Sequence, residues 1–165
     1  MSVFAAVRPR GRVPLRARSE PALLLASLAW AAAIMHGAAC AQHVAEWPLA
    51  AGFFGALAVA QLGLGAWLWA RADTAALIAG AAGSAAVLAL WTVTRTAGLP
   101  FGPEAGHPES VGVLDVVAGA DELLFAACAV ALMHDRGHLL RHPVVLRAAL
   151  IAGLAAAMLA GGHPH

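Results

Sequence analysis

Two apolar stretches of this chain carry side chains that bind metals or move protons, set at helical spacing. His36, Cys40 and His43 recur at i, i+4 and i+7, and Glu46 follows His43 by three residues. On one helix these positions share a face. Further along, Asp115 and Glu122 stand seven residues apart, which at about 100° per residue leaves them within about 20° of alignment. Asp121 points about 100° away from that face. Imidazole, thiolate and carboxylate are ligands for Zn, Cu or Fe, and helix bundles assemble such sites from inward-facing His and Glu. The set His36, His43, Glu46, Asp115 and Glu122 therefore has the chemistry of a metal site, with Cys40, Arg95 and Asp121 as further polar neighbours. Inside a membrane the same groups also serve proton relays and ion paths. A purely architectural role is open too: Arg95 pairs with Asp115 or Glu122, and His36 donates to a neighbouring helix.

The elements that position these residues follow from composition. Of 165 residues, 61% are hydrophobic and 12% charged, against about 25% charged in a soluble domain. Such a chain lacks the polar surface for a soluble enzyme or a nucleic-acid binder, and the expected partner is the lipid bilayer. Five stretches approach the roughly 20 apolar residues that span a bilayer: 21–40, 48–70, 74–94, 111–133 and 144–160. The expected fold is all-α, a five-helix transmembrane bundle over 21–160. A basic arm, 1–20, precedes it and a short tail, 161–165, follows.

All ten basic residues are Arg, and their placement orients the bundle. Arg8, Arg10, Arg12, Arg16 and Arg18 lie in the arm. With that arm cytoplasmic, Arg71, Arg136, Arg141 and Arg147 fall on the same side and only Arg95 falls outside. The positive-inside rule then puts the C-terminus outside, in a bacterial cytoplasmic membrane. A rival reading takes the first stretch as a secretory signal cleaved near Gly37-Ala38-Ala39, which would discard His36. The first segment runs outward, so His36 lies about 6 Å below the outer surface, level with Asp115, while Glu122 lies about 16 Å deep. Small residues at four-residue intervals, Ala76, Gly80 and Ser84, predict close helix contacts, either within the bundle or between copies.

Between the third and fourth segments runs RTAGLPFGPEAGHPES, 95–110. Alternating Pro and Gly predict a compact lid, with Phe101 dipping into the interface. This run, leading on to Asp115, together with HVAEW at 43–47, resembles a group of uncharacterised multi-pass membrane proteins from high-GC actinobacteria. The resemblance spans most of 32–133. It implies a membrane location, brings no activity with it, and singles out His43, Glu46, Arg95, Asp115 and Glu122.

Other sites are weaker. His134, His138 and His142 recur every four residues, but Gly137 and Pro143 favour a solvated connector. His163 and His165 lie in a terminal tail. A bis-histidine haem finds only His36 within a segment. Cys40 and Cys128 do not make a disulfide framework, and no phosphate loop, catalytic triad or CxxC pair is present. The sequence thus points to a non-enzymatic membrane protein whose outward-facing polar pocket binds a metal ion or relays protons or a small solute. A structural or accessory subunit of a membrane complex, its buried charges holding helices together, is the alternative. A membrane metalloenzyme would also need an open coordination position.

Overall fold

The computed structural model describes residues 19–134. These form four α-helices: α1 (Glu20–His43), α2 (Pro48–Ala70), α3 (Thr74–Thr96) and α4 (Val113–Met133). Each is long and apolar enough to cross a membrane, as the hydropathy predicts, and the chain reads as a multi-pass integral membrane protein. The fifth stretch, 144–160, and the Arg-rich arm lie outside the described residues, as do His138, His142, His163 and His165.

Local chemistry sets the helix ends. Pro21 and Pro48 occupy the first turns of α1 and α2, where a missing N–H costs nothing. Asp73 caps α3, its carboxylate accepting from the Ala76 amide at 2.9 Å and from the Trp67 indole at 3.2 Å. The Ala76 amide, above all, holds the Asp73 carboxyl below its usual range. Only Arg71, Ala72 and Asp73 connect α2 to α3, and Ala72 adopts a positive φ of 47° in that turn. At the other end α1 runs three residues past Cys40, to His43. This extension matters for the site, because it puts His36, Cys40 and His43 on one helix.

Packing differs from helix to helix. α1 lies against both α2 and α4, α3 pairs with α4, and α2 and α3 touch little. Around the bundle the order is therefore α2, α1, α4, α3. The core concentrates at the end holding the α2–α3 turn, where Leu24, Leu25 and Leu28 meet Leu68, Leu77, Phe125 and Ala129. Small residues permit this closeness. A Cβ on Gly80 would sit 2.3 Å from the Phe125 ring, and one on Gly65 would sit 2.3 Å from the Trp30 indole. Ala76, Gly80 and Ser84 are all buried, so the small-residue stripe is used inside this bundle. Ile34, Val59, Leu62, Ile78, Leu123 and Val130 face outward, as apolar residues do where the surrounding solvent is lipid.

Candidate functional site

The most deeply placed polar group is a three-residue chain. His36 on α1 is 5% exposed, Gln61 on α2 is 8% exposed and Glu122 on α4 is 3% exposed. His36 Nδ1 lies 2.8 Å from Gln61 Oε1, and Gln61 Nε2 donates to Glu122 Oε1 at 2.6 Å. A carbonyl oxygen only accepts, so His36 Nδ1 carries a proton; in the neutral imidazole Nε2 is then the acceptor. Three helices are tied through one amide. Each buried group satisfies the next, which is the condition for tolerating them in an apolar interior.

A second cluster lies nearer the long α3–α4 loop. Arg95, in the last turn of α3, donates to Asp115 Oδ1 at 2.6 Å and pairs through its other terminal nitrogen with Glu109. Asp115 also accepts from the Gly112 amide at 2.8 Å, closing the first turn of α4. Two carboxylates from the loop and α4 thus clasp one guanidinium fork from α3. The loop is compact, as its Pro/Gly pattern predicts. Gly98 turns with φ +73°, where a Cβ would strike the His107 backbone at 2.5 Å. The Gly106 amide donates to Leu99 O at 2.7 Å, and the Glu109 amide donates to Thr94 O at 3.0 Å. Gly102 lets the loop close on Trp47: a Cβ there would come within 2.6 Å of the indole. Phe101 meets the same ring edge-on at 6.3 Å.

Between these clusters lies a cavity of about 700 Å³, reached by all four helices. Its walls are largely apolar and aromatic, with Trp47, Phe53, Phe54, Trp91 and Phe101 among them, and its polar residues include His36, His43, Arg95, Glu109 and Asp115. Phe54 stacks on His36 at 5.9 Å and on His43 at 5.4 Å, nearly parallel to both. The i, i+7 spacing, about 10.5 Å along a helix, is what lets one ring fit between the two imidazoles. A smaller cavity of about 280 Å³ adjoins at the loop, lined by His43, Glu46, Trp47, Phe101, Glu104 and Glu109. It shares several of these residues with the larger cavity and forms its vestibule.

The positions expected from sequence are therefore divided. His36, His43 and Asp115 line the main cavity, Glu46 lines only the vestibule, and Glu122 lies behind His36 through Gln61. His36 is joined through Gln61 to Glu122, whereas Asp115 is joined to Arg95. The five residues do not converge as ligands. Asp115 is turned to Arg95 and Glu122 to Gln61, and among the described residues no group of three His, Cys, Asp or Glu side chains is placed to hold a metal ion. Cys40 abuts α2, its Sγ 3.3 Å from where a Cβ on Gly55 would lie, and does not line the cavity. Asp121 is buried outside the cavity, with Oδ2 lacking a hydrogen-bond partner among the described residues.

Gln61 is the residue that sequence reasoning missed. An uncharged amide escapes a count of ionisable groups. It is nonetheless the only Asn, Gln or charged side chain in α2, and that isolation was the available signal. No family model, curated protein or solved structure matches this chain.

Proposed function

We propose that this is a multi-pass protein of the bacterial plasma membrane whose outward-facing cavity binds a small solute. The single observation behind this reading is the aromatic-walled cavity of about 700 Å³ with His36 in its lining, within the roughly 300–1,000 Å³ of small-molecule sites. A proton wire is less well supported, because Gln61 in the middle of the chain orients its neighbours and has no titratable site to pass a proton along. The Arg95–Glu109–Asp115 cluster favours the architectural reading for that part of the site: it ties α3, the loop and α4, whatever the cavity holds. Orientation follows the Arg count. Glu20, where α1 begins, and Arg71, where α2 ends, lie at one end of the bundle, and the acidic loop occupies the other. Five membrane crossings, with the C-terminus outside, remain part of this proposal, as does the likeness to actinobacterial membrane proteins.

Two measurements test it. In a variant lacking the native cysteines, Ser110→Cys should react with an impermeant thiol reagent on intact cells, and Thr74→Cys only after permeabilisation. The reverse pattern would overturn the orientation. For binding, the protein in lipid nanodiscs should show saturable quenching of tryptophan fluorescence by phenylbutanol, since Trp47 and Trp91 line the cavity. Gly119→Phe should abolish that quenching. Gly119 lines the cavity, and a Cβ there would meet only Leu88, at 3.9 Å, so the added ring would enter the open space. Quenching that is non-saturable, or indifferent to Gly119→Phe, would end the solute-binding reading.

A further inference from the structure

Resting on that solute-binding reading, we infer that the occupant is a lipophilic organic amine in its cationic form, with its apolar body in the aromatic cavity. Three independent features converge on this class. The first is charge at the way in: the cavity and its vestibule together present Glu46, Glu104, Glu109 and Asp115 against a single guanidinium, Arg95. Arg95 is engaged by Glu109 and Asp115, which leaves Glu46 and Glu104 without an ion pair among the described residues. An anion would meet net repulsion here and a cation net attraction, and clefts with low-dielectric walls focus that field.

The second feature is the nature of the walls. Trp47 and Phe101 line the vestibule, and Trp91, Phe53 and Phe54 continue the aromatic surface within. Aromatic faces attract ammonium groups through the ring quadrupole, while the same rings accommodate apolar carbon. Aromatic lining thus suits both halves of an amphiphilic amine. A strongly hydrated inorganic cation would gain little from it.

The third is the hydrogen-bonding polarity of His36. Its Nδ1 proton is committed to Gln61, and Nε2 has no partner among the described residues. On a side chain that is 5% exposed and lines the cavity, this unpartnered nitrogen accepts from a donor when the imidazole is neutral. Behind it, Gln61 delivers the Glu122 carboxylate one hydrogen bond further on, so the field at this point also favours a positive group. An ammonium N–H donates; a carboxylate or ether cannot.

A matched set of probes tests the inference on the protein in lipid nanodiscs. Phenylbutylamine and phenylbutanol differ in head group alone, and phenylbutyrate carries a carboxylate at the end of the same four-carbon chain. The amine should quench tryptophan fluorescence saturably with an affinity at least about tenfold above the alcohol's, a difference of about 1.4 kcal/mol, and phenylbutyrate should bind weakest. Combining Glu46→Gln with Glu104→Gln, two exposed positions, should shrink the amine's advantage about threefold and leave the alcohol's affinity unchanged. Raising the salt concentration should act in the same direction. If alcohol and amine bind equally, both sensitive to Gly119→Phe, the cavity is a solute site and the amine assignment is overturned. Stronger binding by phenylbutyrate would overturn it too. If none of the three binds saturably, the solute-binding reading falls with it.

Discussion

At the end of the bundle where Ala72 turns α2 into α3, Leu24, Leu25, Leu28, Leu68 and Phe125 interlock over glycine, and ring and backbone come into direct contact. At the opposite end the same four helices enclose a cavity of about 700 Å³ lined with aromatic rings and charged groups. The difference lies in the connections and in the side chains. A three-residue turn holds α2 and α3 together at one end, whereas two separate segments, 44–47 and 97–112, cap the other. Small residues let helices meet where stability is made. Large rings and paired charges line the end where the helices stand apart.

This contrast breaks most sharply at Gln61, the amide that joins α1, α2 and α4. Gln61→Leu strands His36 and Glu122 in an apolar interior, at about 1–3 kcal/mol for each stranded group. Denaturation in mixed micelles should register a larger loss of stability than for Gly80→Val, Arg95→Lys or Gly52→Val, and an unchanged profile would mean the polar chain ties nothing. The next largest effect belongs to the packed end. Gly80→Val should cost about 1–3 kcal/mol through overpacking against Phe125. Arg95→Lys comes third: a lysine keeps the charge but loses the fork that reaches two carboxylates. On so partly exposed a cluster the cost should stay near or below about 1 kcal/mol, with faster chymotryptic cleavage at Phe101 as the local readout. Cleavage at the original rate would show that the loop does not depend on the clasp. Smallest of all is Gly52→Val, within about 0.5 kcal/mol, since nothing lies within 4 Å of a Cβ there. Should Gly52→Val cost as much as Gly80→Val, the distinction between packed and open ends would not hold.

Much of the fold was legible in the sequence because lipid imposes a simple length rule on apolar stretches. The expected spans fall within two or three residues of α1 to α4, the Ala76–Gly80–Ser84 stripe is buried, and Arg95 meets Asp115. The site was less legible, for specific reasons. Polar residues near an interface let a helix continue past its apolar stretch, so α1 runs on to His43. An amide carries no charge, so hydropathy treats Gln61 as a minor interruption although it bridges two ionisable groups. A pattern that puts His, Glu and Asp on matching faces also cannot say which carboxylate an arginine or a glutamine takes up. Those local partners are what dispersed the expected ligand set.

The slight contact between α2 and α3 has a consequence for any occupant. Leu49, Phe53 and Leu57 on one side, and Val87, Leu90 and Thr94 on the other, line a cavity whose flanking helices do not seal against each other. In a bilayer, acyl chains would lie along that seam and compete for the space behind it. Occupancy would then depend on how strongly a compound partitions into the membrane as well as on its fit, and changing lipid chain length should alter apparent affinity without any change in the protein.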